Sequence, residues 1–211
     1  MTPTLAHRIA ARLLSIGAIK LNPQEPYTWA SGWRSPIYCD NRLTLSYPEL
    51  RTLIKQELAT LIDKHHPQAG VIAGVATAGI PQGALVADLL ELPFVYVRSK
   101  PKGHGLTNMI EGLVSPGKKV VLVEDLVSTG GSVIKAAEAL RAAGFEVLGL
   151  VAIFTYGFDE ATRNLAAANL DWHTLSHYEA LLEEARHNGL IAAEEIQTLT
   201  AWRQNPAEWG R

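Results

Sequence analysis

Val120-Val121-Leu122-Val123-Glu124-Asp125-Leu126-Val127-Ser128-Thr129-Gly130-Gly131-Ser132 decides the fold of this chain. Four apolar residues run into two adjacent carboxylates. Leu126 and Val127 then lead into five small or hydroxyl residues, and a helical pattern begins after them. A buried strand with acids at its tip, followed by a glycine turn into a helix, is the ligand-binding corner of an α/β sheet. Free N–H groups of such a turn hold phosphate oxygens at the helix N-terminus. With the acids beside the organic part of the ligand, the stretch reads as a sugar-phosphate site. The chain has no GKS or GKT triplet, so this is no Walker loop, and the glycine spacing excludes the dinucleotide fingerprint.

Outward from this corner, apolar runs at 70–75, 94–97, 119–123 and 147–154 predict strands. Helical spacing at 48–64, from Gly79 onward, at 133–143 and at 159–168 separates them. Strands that are apolar without alternation, joined by helices, form a mostly parallel sheet covered on both faces. Right-handed crossovers then bring the turns after Val75, Val97, Glu124 and Phe154 to one edge. A short strand at 172–175 and a helix at 179–186 complete this α/β core, assigned to residues 46–187. Residues 1–45 predict a small N-terminal hood. Its helix carries Leu5, Ile9, Leu13 and Ile16 on one face, and two short extended pieces follow within 27–40. Residues 188–211 predict a tail whose helix docks through Ile191, Ile196, Leu199 and Trp202.

A chain of 211 residues supports one sizeable core. Its net charge of -2, from 19 basic and 21 acidic residues, gives no bulk attraction for nucleic acid. No apolar run is long enough for a membrane helix, and the N-terminus has no export-signal pattern. Cys39 is the one cysteine, so no internal disulfide can form, and a cytoplasmic protein is expected. Cys39 itself reads as a small buried side chain rather than a nucleophile. Among the histidines, His65 and His66 are adjacent in a polar run while His173 and His177 are isolated. No metal set is expected from them.

Arg98-Ser99-Lys100-Pro101-Lys102-Gly103-His104-Gly105 begins an aperiodic stretch, 98–112, that reads as a long mobile loop. Such a loop could close over a diphosphate and exclude water. Lys102 would neutralise departing charge and His104 would donate a proton or hydrogen bond to it. Ala76-Thr77-Ala78-Gly79-Ile80, small throughout, could let backbone approach the same diphosphate.

Together these segments resemble the type I phosphoribosyltransferases. The residues from Val121 to Ser132 are similar to that family's phosphoribosyl-diphosphate motif. The hood stretch Ser31-Gly32-Trp33-Arg34-Ser35-Pro36-Ile37-Tyr38-Cys39-Asp40-Asn41-Arg42, the basic loop, and Asn108-Met109-Ile110-Glu111-Gly112 point within it to the orotate phosphoribosyltransferase branch. The resemblance runs over about residues 5–185. It implies phosphoribosyl transfer from 5-phospho-α-D-ribose 1-diphosphate to orotate, giving orotidine 5′-phosphate and diphosphate in pyrimidine synthesis. It also implies Mg²⁺, held mainly through the diphosphate and ribose and not by a set of protein ligands, and a homodimer with shared active sites. Carried over by position, Arg98, Lys102 and His104 match residues that hold the diphosphate. Glu124 and Asp125 match the acidic pair beside the ribose. The segment Leu126, Val127, Ser128, Thr129, Gly130, Gly131, Ser132 matches the phosphate cradle, and Ser128 also the hydroxyl near orotate. Catalytic weight falls on Lys102, His104 and Asp125. The chain departs from another branch of the family at Ala30, Ala78, Ser99 and Tyr156, where that branch carries lysines or an arginine. The orotate carboxylate could then be met by Arg34, Arg42 or backbone. A purine or uracil phosphoribosyltransferase would keep the diphosphate motif with a different hood. A non-catalytic regulator that senses phosphoribosyl diphosphate would carry an added DNA-binding element.

Overall fold

The structure, a computed structural model, describes residues 3–29, 32–100 and 109–209. The chain starts with helix α1 (Leu5–Ser15), whose buried face is Ile9, Ala10 and Leu13. The Thr4 hydroxyl accepts from the His7 backbone N–H and caps it. Two antiparallel ladders follow. Strand β1 (Ile19–Leu21) awaits a later partner, and β2 (Tyr27–Thr28) pairs with β3 (Arg34–Ser35). The later partner of β1 is β4 (Ile37–Cys39). A 3-10 helix (Asn41–Ser46) leads to α2 (Pro48–His65), with proline in its first turn where a missing N–H costs nothing. The predicted helices lie where periodicity put them. The two extended pieces predicted within 27–40 turn out to be three short strands, and β1 precedes them unpredicted, each too brief for any period to register.

Then come β5 (Val71–Val75), α3 (Gly79–Leu90), β6 (Phe94–Val97), β7 (Ile110–Glu111), β8 (Lys119–Val127), α4 (Gly131–Ala142), β9 (Glu146–Thr155), α5 (Asp159–Ala167), β10 (Asp171–His177), α6 (Tyr178–His187) and α7 (Ala193–Gln204). The central sheet has the order β10-β9-β8-β5-β6-β7. Every pair is parallel except β6 with β7. Alternate residues of a strand face opposite sides, and here both sides are dry. Val121, Val123, Val151 and Ile153 join one apolar cluster with Leu58 and Ile62 of α2 and Val86 of α3. Val120, Leu122, Leu150 and Ala152 join another with Val133, Ala137 and Leu140 of α4. That double burial is why the strands read as unbroken apolar runs. Ile9, Leu13, Ile19 and Ile37 from the N-terminal segment belong to the first cluster, so this segment shares its core with the sheet.

Three elements differ from expectation. Strand β8 continues through Glu124 and Asp125 to Val127, held by the register Leu126↔Phe154 and Val127↔Thr155. Its polar residues belong to the ladder's end, where a site rather than a core decides the side chains. The stretch 98–112 is not all loop. Tyr96↔Glu111 and Val97↔Ile110 pair, and the Arg98 N–H donates to the Met109 carbonyl at 2.8 Å. A two-residue strand has no readable period. Strand β10 is seven residues long because, at the sheet's edge, polar positions such as Asp171, His173 and His177 are compatible with pairing. The tail does dock. Ile191, Leu199 and Trp202 are buried, and the Tyr178 hydroxyl donates to the Leu199 carbonyl at 3.0 Å. Among the described residues no helix is long and apolar enough to cross a membrane.

Candidate active site

Glu124 and Asp125 stand at the carboxyl end of β8, where parallel strands of an α/β sheet present ligands. Glu124 is only 5 % exposed. Its Oε1 accepts from the Asp125 backbone N–H at 2.9 Å. Burial, and then the charge of Asp125, push the Glu124 carboxyl well above the usual carboxylate range. Burial also raises Asp125. Two neighbouring carboxyls so placed are strongly favoured to receive hydrogen-bond donors or positive charge.

The turn after them opens onto helix α4. The structure puts the helix start at Gly131, two residues before the expected 133, and its cap is Gly130. Gly130 has φ 85°, and no side chain caps the helix. The left-handed conformation is the reason glycine stands there. First-turn N–H groups therefore lack a side-chain cap, and a Cβ built on Gly131 would meet nothing within 4 Å. The space in front of Gly131 is open, with first-turn N–H groups beside it. The Thr129 carbonyl is turned away from it, accepting from Asn164 Nδ2 at 3.0 Å.

On the hood side, Asn41 Nδ2 donates to the Asp125 carbonyl at 2.8 Å. Thr44 Oγ1 donates to the Asn41 carbonyl at 2.6 Å, and Gln82 Nε2 donates to Thr44 Oγ1 at 3.1 Å. This chain of bonds ties the 3-10 helix and α3 to the acidic pair. Asn41 was not among the expected site residues; its signal was its place between Asp40 and Arg42 at the end of the hood motif. Arg42 binds Asp40 twice, Nε at 2.6 Å and Nη2 at 2.8 Å. This contact holds Asp40 below the usual carboxylate range. A cleft of about 290 Å³ is lined by Thr28, Trp29, Tyr38, Cys39, Leu126, Ser128 and Tyr156. Trp29 stacks on Tyr156 with ring centroids 5.2 Å apart, and its Nε1 donates to the Ile37 carbonyl at 3.0 Å. That wall is rigid and flat. Burial and the charges of Asp125 and Asp40 push the Cys39 thiol up, so at neutral pH it is no nucleophile.

On the other flank, a cleft of about 320 Å³ is lined by Val97, Arg98, Ser99, Gly131, Ser132 and Lys135, among others. Arg98 Nη1 pairs with Glu111 Oε1 at 3.2 Å, closing the root of the basic loop. Lys102 and His104 lie outside the described residues. The structure thus brings Arg98 and the residues from Glu124 to Ser132 to one edge. Ser128 faces the aromatic cleft, and Ser132 faces the cationic one.

Residues 43–179 match the model of the phosphoribosyl transferase domain. The chain is 58% identical to an orotate phosphoribosyltransferase of Bacteroides thetaiotaomicron over 205 residues, covering 97% of each chain. It is 54% identical to that of Bacillus subtilis over 198 residues, covering 94% of this chain and 92% of the relative. This chain belongs to the orotate phosphoribosyltransferase family. Among solved structures, UMP synthase of Leishmania donovani superposes with TM-score 0.78 at 28% identity, over 94% of this chain and 42% of that one. The orotate phosphoribosyltransferase of Aeropyrum pernix gives 0.75 at 28% identity, over 87% and 99%.

A member of this family is expected to work with magnesium. At the carboxyl edge the side-chain donors beside the phosphate turn are oxygens, which suit a hard cation. Among the described residues, no group of three metal-ligating side chains gathers there. The expectation that His173 stands apart from His65 and His66 needs correction. His66, Asp171 and His173 offer ligand atoms all within 4.8 Å of one another, a set able to hold a metal ion. Register explains why the sequence concealed it. His66 ends α2, more than a hundred residues from β10, and only the fold brings them together. Imidazoles are not magnesium's preferred donors, and this cluster lies on the outermost strand, two strands from β8.

Proposed function

We propose that the protein transfers the 5-phosphoribosyl group from 5-phospho-α-D-ribose 1-diphosphate to orotate, releasing orotidine 5′-phosphate and diphosphate, a step of pyrimidine synthesis. One observation carries the reading. A buried carboxyl, Glu124, and a half-buried one, Asp125, adjoin a helix N-terminus without a side-chain cap, with an aromatic cleft on one side and a cationic cleft on the other. High identity to orotate phosphoribosyltransferases along almost the whole chain supports the same substrate pair.

In this assignment the 5′-phosphate takes the N–H groups and hydroxyls from Ser128 to Ser132. The ribose hydroxyls donate to Glu124 and Asp125, which offsets more of the cost of taking their charges out of water. The orotate ring lies in the cleft of Trp29, Tyr156 and Ser128, with the Ser128 hydroxyl at its edge. As the bond between C1′ and the diphosphate oxygen breaks, positive charge grows on the sugar. Asp125 steadies it at close range. Arg98, with Lys102 and His104 assigned from the family pattern, takes the negative charge that grows on the leaving diphosphate. Magnesium, when bound, neutralises part of that same charge; Glu124 and Asp125 would meet it only by way of the ribose. Orotate N1 then bonds to C1′, and its proton needs no strong protein base. The Asp40–Arg42 pair leaves Arg34 as the less committed guanidinium for the orotate carboxylate, with Arg42 and backbone as the other candidates.

The assignment extends to a homodimer with shared sites, a cytoplasmic setting, and a three-part chain of hood (1–45), core (46–187) and tail (188–211). The deciding experiment incubates the purified protein with phosphoribosyl diphosphate, Mg²⁺ and, separately, orotate, uracil, adenine, hypoxanthine or xanthine. Nucleotide product from orotate alone is expected. Product from another base, with none from orotate, overturns the reading.

A further inference from the structure

His66 is the one buried imidazole of the molecule among the described residues, with its side chain 4% exposed. Its Nε2 has no hydrogen-bond partner there. A buried polar atom left unmet is costly, and proteins do not keep one without a reason. The surroundings are built to hold the ring. A Cβ on Gly149 of β9 would lie 2.5 Å from His66 Cε1 and 2.7 Å from Nε2, so that edge of the ring fills the space that glycine leaves bare. Asp171 and His173 of β10 complete the surroundings. Asp171 pairs with Gly149 and His173 with Val151, so both point to the α2 face of the sheet.

Asp171 Oδ2 lies 3.9 Å from His66 Nε2 and 3.1 Å from His173 Nε2. The His65 ring stacks on His173 with centroids 3.5 Å apart, bracing it from behind. Four-coordinate zinc at its usual bond lengths holds ligand atoms about 3.3 Å apart. The Asp171 side chain, 59% exposed, is free to turn and close the remaining gap. Two imidazoles and one carboxylate are the donors of a borderline cation such as zinc and not of magnesium.

We propose that His66, Asp171 and His173 form a zinc-class metal site, with two Nε2 atoms, one carboxylate oxygen and a solvent molecule as ligands. The bound ion would clasp the end of α2 to the outermost strand of the sheet. The site is separate from the sugar-phosphate edge and independent of the substrate reading above.

The test uses full-length protein without an affinity tag, stripped with chelator and dialysed. Zinc is titrated by calorimetry in the presence of excess Mg²⁺, and cobalt is added separately for its visible absorption. One zinc per chain, undisturbed by magnesium, is expected, with tetrahedral cobalt bands and a raised Tm. Asp171→Asn and His173→Ala change exposed or half-exposed positions and should fold, as circular dichroism would verify. Each is expected to weaken zinc more than about tenfold and to abolish the Tm rise. Absence of one-to-one binding overturns the proposal, as does binding that both ligand variants leave intact.

Discussion

The carboxylates of β8 and the carboxylate of the hood face the same edge of the molecule, yet their surroundings move them in opposite directions. Glu124 and Asp125 are raised by burial. Asp40 is lowered, first by its hydrogen bonds to Arg42. The hood's charge is answered within the hood and fixes local structure. The strand's pair has the Asp125 N–H and Ser132 on Glu124, but these do not offset burial, and a ligand can relieve what remains. The difference separates residues that shape the site from residues that act in it.

The harshest test removes one strand charge. Asp125→Asn keeps shape and should lower kcat/KM by about 100-fold or more, while circular dichroism and Tm hold. A folded variant with near-normal turnover would erase the functional half of the contrast.

A second test asks whether Lys102 and Asp125 of one site come from different subunits. Lys102→Ala and Asp125→Asn proteins, each nearly inactive, are mixed and allowed to exchange subunits. If sites are shared between subunits of a homodimer, half the dimers gain one intact site, and activity should recover to about a quarter of wild type. Verified mixed dimers without recovery would put both residues in one subunit's site.

Asn41 joins the two regions, so Asn41→Ala should cost about 1–2 kcal/mol of stability and raise KM for phosphoribosyl diphosphate. Chemical denaturation and steady-state kinetics read both. A change in stability alone would reduce Asn41 to a structural tie.

The two settings also predict opposite pH behaviour. Glu124 is raised on folding, so its favourable contribution is complete below the unfolded pKa and is lost as pH climbs through the folded value. Glu124→Gln should therefore stabilise the ligand-free protein by about 1 kcal/mol near neutrality, with the gain vanishing toward pH 4, while weakening substrate binding. Asp40 is lowered, so its contribution is present above the unfolded pKa and is lost as pH falls through the folded value. Asp40→Asn should cost less than about 1 kcal/mol at neutral pH, and nothing in strong acid. Parallel pH profiles for the two variants would break the comparison.

Much of this was legible in the sequence because the physics was local. The run from Val120 to Ser132 carries strand, acids, glycine turn and helix start in one reading frame, and apolar strands imply helices on both sides of a sheet. Two things were not legible. Strands of two or three residues, such as β7, are set by their partners. Contacts between distant segments, such as Asn41 with Asp125 or His66 with Asp171, exist only once the sheet order is known. The helix start at Gly131 was shifted by two residues because a bound phosphate and an ordinary serine cap call for the same amino acids.

The docked tail has an optical consequence. Trp202 of α7 sits edge-on to Trp29, with centroids 5.7 Å apart, and Trp33 stacks on Trp29 at 6.4 Å. Three indoles this close exchange excitation, so light absorbed by any of them can be emitted from, or quenched at, the wall of the aromatic cleft. The protein's intrinsic fluorescence is therefore a built-in reporter of whether that cleft is filled, and of whether its last helix is in place.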